Sequence, residues 1–300
     1  MILSASRRTD IPAFYGEWFF RRLEAGEVWV RNPMNPRRIA QIDLRDAEGV
    51  VFWTKNPLPI LGELDRLQGL PCYFQFTLTP YGRDWEPSLP HKARELIPAF
   101  RALSQRLGPE KVLWRYDPIF LDPVWTVERH LEAFSKMAAL LEGAAHLCTL
   151  SFLDVYREIA PALREKAARP PQGEEIFRLA EGFSPIAARH GFALYTCGEE
   201  VDLSPWGIRP GKCVDAARLG LAGKKAQGQR KACCCDDSVD IGSYHTCRNG
   251  CRYCYACRAG RMHSPADWDP DSPMLLDAPR EGDTLYRRKT GRLGPEQLCL

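Results

Sequence analysis

The sequence predicts an α/β fold in which a parallel sheet is curved into a partial (β/α)6 barrel. Short apolar runs alternate with longer amphipathic segments through the first 197 residues. Strand then helix, repeated, is the pattern of a parallel sheet with right-handed crossovers. Polar residues stand at the end of nearly every apolar run, and a barrel gathers its strand ends around one mouth. The cysteines come late: of twelve, nine lie between positions 197 and 257.

The elements follow in order. MILSAS (1–6) is the first strand and ends in Arg7, Arg8, Thr9 and Asp10. A helix is expected over 14–25. Its Phe14, Tyr15, Trp18, Phe19 and Phe20, beside Arg21 and Arg22, suit a core-facing stripe better than a nucleic-acid clamp. GEVWVRN (26–32) pairs with 38–44 as a small hairpin. GVVFWT (49–54) is the second barrel strand and ends in Lys55 and Asn56; a helix over 59–68 follows. CYFQFTL (72–78), with Thr77 and Thr79, leads to a helix over 91–107. KVLWRYD (111–117) ends in Arg115 and Asp117, and Thr126 caps a helix over 127–143. LCTLSF (147–152) carries Ser151, with Asp154 beyond it; a short helix near 155–166 and a longer one over 173–189 follow. FALYTC (192–197) ends in Cys197, with Glu199 just after.

Composition bounds the function without naming it. Apolar residues make up 45% of the 300 and charged residues 26%, as in an ordinary soluble domain. A net charge of +3 permits a phosphorylated or nucleic-acid partner but does not argue for one. The N-terminus has no signal-peptide pattern, and no run of 18 apolar residues occurs. We therefore expect a cytoplasmic protein with no membrane association and no assigned protein partner. Cys72 and Cys148 lie in apolar runs and are expected to be buried. A disulfide scaffold would spread its cysteines through a core-poor chain, so metal binding in a reducing compartment is the better reading.

The segment SYHTCRNGCRYCYAC (243–257) places Cys247, Cys251 and Cys254 at C-x3-C-x2-C spacing. Three thiolates suit a cubane cluster that keeps one iron open; zinc more often takes two C-x2-C knuckles. Upstream, Cys233 and Cys235 share a side of an extended chain while Cys234 points away. With Cys197 and Cys213 they complete a second four-thiolate set, for a cluster or a structural zinc.

CRNGCRYC resembles the signature of radical S-adenosylmethionine enzymes, with Tyr253 at the aromatic position. YHTCRNGCRYCYA (244–256), WTKNP (53–57), FTLTPYGRDWEPSLPHKARE (76–95) and RYDPIF (115–120) are similar to the spore photoproduct lyase-like branch. There the cysteine motif comes first; in this chain it comes last, as in a circular permutation. SASRRTDIPAFYGEWFFRRLEAGEVWVRNP (4–33), VVFWTKNP (50–57), WRYDPI (114–119), SFLDVY (151–156) and CDDSVDIGSYHTCRNGCRYCYA (235–256) resemble the domain of unknown function 1848, DUF1848. That pattern does not require Cys234 or Cys257.

The resemblance implies a TIM-like radical S-adenosylmethionine barrel over 1–197, with a cysteine-rich iron–sulfur region over 198–300 on its mouth. It implies a [4Fe–4S] cluster on Cys247, Cys251 and Cys254 that cleaves S-adenosylmethionine to a 5′-deoxyadenosyl radical. An auxiliary cluster would sit on Cys197, Cys213, Cys233 and Cys235, fed by a reducing electron donor. Tyr253 would pack beside the cofactor. No glycine-rich motif for the methionine amino group is evident, so Thr54, Asn56, Thr77 and Ser151 are expected in its place. Lys55, Arg115 and Asp117 are the candidate catalytic residues; the plainer readings are a solvated lysine and an internal ion pair with Arg7 or Arg8. Glu86 and Arg94 either reach the mouth or start a helix. The substrate is a small or nucleic-acid-derived molecule. The rivals are a non-radical iron–sulfur or zinc redox or binding protein and, less well supported by the histidine-poor strand ends, a zinc hydrolase. Residues 236–257 are expected to cross the mouth beside 192–197 or 1–6.

Overall fold

The computed structural model describes residues 1–258, 260–289, 291, 293 and 294; Cys299 lies outside them. In chain order the elements are β1 (Ile2–Ala5), α1 (Ile11–Phe14), α2 (Gly16–Ala25), β2 (Glu27–Arg31), β3 (Arg38–Asp43), β4 (Gly49–Thr54) and β5 (Cys72–Thr77). Then come α3 (Ile97–Leu107), β6 (Val112–Ile119), α4 (Val127–Leu141), β7 (Leu147–Phe152), α5 (Ala160–Glu165), α6 (Glu174–Arg189) and β8 (Ala193–Thr196). The short strands β9 (Arg209–Pro210), β10 (Val239–Asp240) and β11 (Thr284–Arg287) follow. All six expected barrel-strand runs form strands, and β2 pairs antiparallel with β3 as the expected hairpin.

The main sheet has the order β10-β1-β4-β5-β6-β7-β8-β9, with every neighbouring pair parallel. Among the described strands no pairing joins β9 to β10, so the sheet is open. β10 lies beside β1, which brings the late segment to the expected place.

Side-chain alternation sorts the sheet into two faces. One face presents Leu3, Ala5, Val50, Phe52, Phe74, Phe76, Trp114, Tyr116, Cys148 and Leu150 to the main core, with α2, α3, α4 and α6 packed on it. The other starts apolar, with Ile2, Val51, Tyr73 and Leu113 under Val214, Ala216, Leu219 and Leu221. Further along the strands this face turns polar: β6 runs Leu113, Arg115, Asp117, and β5 runs Tyr73, Gln75, Thr77. The Tyr73 hydroxyl and Gln75 Nε2 each donate to Cys213 O at 2.8 Å, and Asp215 N donates to the Tyr73 hydroxyl at 2.8 Å. The cysteine-bearing chain is thus pinned across this second face.

Three helices differ from their expected form, each for a local reason. The 14–25 run breaks at Tyr15, whose φ of −136° is not helical. Trp18, Phe19 and Phe20 are all buried, which settles their role as core. The 59–68 run winds as 3-10 turns over Leu58–Leu67, where Pro59 lacks a donor and Gly62 favours no helix. The 91–107 run opens as a π turn over Lys92–Leu96 before α3, because Pro98 has no N–H to give to Arg94. Thr126 caps α4 as expected, accepting from Arg129 N at 3.3 Å.

An α/β fold with a parallel sheet is therefore present. The more specific expectation, a partial (β/α)6 TIM-like radical barrel with a cluster-binding cysteine region at its C-terminus, is overturned. Among the described residues no cysteine group is arranged to hold a metal ion. Among the described residues no helix is long and apolar enough to cross a membrane.

Candidate functional site

A cavity of about 570 Å³ opens where the polar halves of the strands end. The loop after β1 contributes Ser6 to Asp10, the end of β4 and the residue after it contribute Trp53 to Lys55, and β6 contributes Arg115 and Asp117. Thr77 of β5, Ser151 of β7 and Cys197 after β8 continue the wall, and the segments around 230–235 and 244–256 cover it.

The strand-end loop after β1 is held from the late segment. Asp240 of β10 accepts from Ser6 Oγ at 2.7 Å, Ser4 Oγ at 3.2 Å, Arg7 N at 2.8 Å and Gly242 N at 3.0 Å. Position 242 must be glycine, since a Cβ there would lie 2.1 Å from Ser6 Oγ. Asp10, which is buried, accepts from Ala13 N at 3.1 Å, Lys55 N at 2.7 Å and Asn249 Nδ2 at 3.0 Å. One carboxylate thus joins the ends of β1 and β4 to the cysteine segment. Burial pushes the Asp10 carboxyl above its usual range, against those hydrogen bonds.

Lys55 lies at the cavity wall and donates to Glu86 Oε1 at 2.8 Å. Glu86 is 2% exposed and also pairs with Lys92, Thr79 and the hydroxyl of Tyr253. Burial pushes its carboxyl up, but the Lys55 and Lys92 ammoniums outweigh burial and hold it down at about 2. Burial likewise opposes the charge on Lys55, yet Glu86, with smaller contributions from Cys251 and Asp117, raises its pKa overall. Glu86 is therefore a positioning group beneath the cavity, whereas Arg94 is exposed and away from it.

Arg115 Nε donates to Asp117 Oδ2 at 3.1 Å, and its Nη1 donates to Cys213 Sγ at 3.0 Å. The ion pair thus forms between Arg115 and Asp117 themselves, not with Arg7 or Arg8 as the plainer reading expected. Trp53 carries two guanidiniums near its ring, Arg115 at 5.3 Å and Arg7 at 5.6 Å from the centroid. Thr54, Thr77 and Tyr253 line the cavity. Ser151 lines it too, but its hydroxyl donates to Glu199 Oε1 at 2.9 Å. Asn56 does not reach the wall; its Oδ1 accepts from Leu58 N in the turn that follows Lys55.

Cys72 and Cys148 are buried, as expected. Cys197, Cys213, Cys233, Cys235, Cys247, Cys251 and Cys254 all line the cavity as free thiols. The Cys197 and Cys213 sulfurs share a hydrogen bond at 2.7 Å. Two thiolates on one tetrahedral ion would stand about 3.8 Å apart, given metal–sulfur bonds of about 2.3 Å. Hydrogen bonding with Cys213, which outweighs burial, brings the Cys197 thiol down to about 7 and that of Cys235 to about 5. Cys257 Sγ donates to Cys247 O at 3.4 Å, and Cys234 Sγ to Ala232 O at 3.7 Å.

Among the described residues no group of three or more His, Cys, Asp or Glu side chains is placed to hold a metal ion. This corrects a linked set of expectations. The thiols lie together, yet not as a ligand shell, so neither [4Fe–4S] cluster is supported, nor the S-adenosylmethionine that an open iron would hold. The likeness to radical S-adenosylmethionine enzymes, the radical reaction and the alternative iron–sulfur or zinc redox protein fall with them. The reducing electron donor rested on that chemistry alone.

Sequence reasoning noticed Arg7, Arg8 and Asp10 as strand-end polar groups but did not choose them as site residues. Trp53, Asn249 and Arg230, which also line the cavity, were not among the expected site residues. Arg230 arrives from a loop and pairs with Asp154 Oδ2 at 2.5 Å. A clue for Asn249 was available, since it sits inside the cysteine motif, where a buried amide tied to Asp10 orders the turn.

Neither a curated protein nor a solved structure matches this chain. The family model described as a domain of unknown function, DUF1848, matches residues 2–256. With most of its length matched, from β1 through the cysteine segment that covers the cavity, the chain belongs to the DUF1848 family.

Proposed function

We propose that the cavity at the strand ends binds a small anionic molecule and is the place where the protein acts on it. Arg7 carries this reading. Its guanidinium lines the cavity, rests by Trp53 and donates to Ser238 Oγ at 3.3 Å, with no carboxylate partner among the described residues. Among the lining arginine, lysine and aspartate side chains, Arg7, Arg8, Lys55, Arg115 and Arg230 outnumber Asp10, Asp117 and Asp154. A recess lined by one sign of charge concentrates ligands of the other.

Lys55, Arg115 and Asp117 are the groups that act on the ligand. Thr54, Thr77, Ser151 and Tyr253 shape its surroundings, and Asn56 orders the turn behind Lys55. Thr9 Oγ1 and Asn249 Oδ1 are buried without a partner among the described residues. Such orphaned atoms at a cavity wall are places for a ligand's own hydrogen-bonding groups. The free thiols suit a reducing, cytoplasmic setting.

Alkylation of Cys197 tests the charge of the cavity. Iodoacetate and iodoacetamide both form an S–C bond with the same thiolate and release iodide, so their rate ratio cancels the reactivity of the thiol. Peptide mass spectrometry should show iodoacetate favoured at Cys197 relative to free cysteine. Arg7→Ala should lower that preference about five-fold, the effect of losing about 1 kcal/mol of Coulomb attraction. A ratio equal to that of free cysteine in the unmodified protein would end this reading.

A further inference from the structure

A second cavity, of about 580 Å³, lies on the other side of a wall made by Arg8, Tyr156, Tyr244 and Tyr255, which line both spaces. Its lining is strongly basic. Arg8, Arg31, Arg258, Arg261 and Arg280 face only Glu158 and Asp277 as lining carboxylates. Arg31 is tied to Asp277 and Asp283, Arg280 to Asp277, Arg258 to Glu158, and Arg8 more loosely to Asp240 at 3.9 Å. Exposed Arg261 has no carboxylate partner among the described residues. Fixed guanidiniums with one left unpaired suit a phosphate, which accepts several charge-assisted hydrogen bonds.

The shared wall adds a second kind of recognition. The Tyr156 and Tyr255 rings lie 5.1 Å apart and are tilted by 36°, and the Arg8 guanidinium lies 5.4 Å from the Tyr244 centroid. Tyr255 is 40% exposed. An aromatic face beside a row of arginines is the combination that holds a base next to its phosphate. The volume also matches a ligand of that size.

We propose that this second cavity binds a nucleotide unit, with its phosphate on the arginines near Arg261 and its base on the tyrosine wall. The unit can be a free mononucleotide or one residue of a single strand. Binding of AMP, a short 5′-phosphorylated oligonucleotide and ribose 5-phosphate, measured by calorimetry at about 50 mM salt, separates the parts. The base-bearing ligands should bind at least about five-fold more tightly than ribose 5-phosphate. Tyr255→Ala should remove that advantage, and Arg261→Ala should weaken all three ligands about equally. In the oligonucleotide arm Arg261→Ala should also lower the salt slope by about one.

AMP equal to the oligonucleotide identifies a mononucleotide site; an oligonucleotide about ten-fold tighter identifies a single strand. Arg7→Ala, which alters only the first cavity, should leave this binding unchanged, so the two sites fail separately. Absence of saturable binding by either base-bearing ligand overturns the proposal. So does binding that both Tyr255→Ala and Arg261→Ala leave intact, or binding that only Arg7→Ala removes. Both tested residues are exposed, and an unchanged melting temperature confirms the fold of each variant.

Discussion

Replacing Glu86 by leucine should lower the unfolding free energy by about 3–5 kcal/mol, read from urea denaturation, because it strands the Lys55 and Lys92 ammoniums around a buried space. Glu86 is 2% exposed and joins Lys55, Lys92, Thr79 and Tyr253. The same carboxylate sets an acid limit. Its ordinary value of 4.5 falls to about 2 in the fold. A group depressed in this way contributes stability that is complete above its unfolded pKa and is lost as pH falls through the folded one. Its share, about 3 kcal/mol at neutral pH by linkage, should disappear between pH 4.5 and about 2. Glu86→Gln should remove that part of the pH dependence; an unchanged acid slope in the variant would refute the assignment.

Asp10→Ala is the second large effect, expected at about 3 kcal/mol or more. It leaves the N–H groups of Ala13 and Lys55 and the Asn249 amide without their acceptor, and each buried unpaired donor costs about 1–3 kcal/mol. Its consequence is local as well as global. With Asn249 released, the turn carrying Cys247 and Cys251 loses its tie to the ends of β1 and β4. Hydrogen exchange should rise at Lys55 and through 247–254 before the sheet opens. Asp10→Asn is the milder control. Oδ2 serves Lys55 and Asn249 while Oδ1 serves Ala13, so an amide placed to keep the first pair sacrifices only the third. A loss below about 1 kcal/mol in the alanine variant would show that water replaces the carboxylate.

How legible the site was depended on where its residues lie in the chain. Arg115 and Asp117 are spaced two apart at the end of an apolar strand, so alternation places both on the face that bears the cavity. Lys55, Thr77 and Ser151 follow the same rule. Asn56 shows its limit: one residue beyond Lys55, the chain turns, and the amide serves the backbone. The cysteines show another limit. Spacing establishes that several thiols can meet, but their mutual distances depend on loops crossing the sheet. Only the folded chain places Cys197 and Cys213 in a direct hydrogen bond instead of around an ion.

Local chemistry alone determined the strand–helix order, the cap at Thr126 and the polar turn at each strand end, since propensity, period and donor count act within a few residues. Whether the sheet closes, which thiols touch, and how Arg7 comes to face the cavity with no carboxylate partner among the described residues were decided by tertiary structure. Those outcomes depend on contacts between residues more than two hundred positions apart, such as Asp240 with Ser6 and Asn249 with Asp10. No local pattern encodes such distances; they emerge when buried polar groups must find partners across the fold.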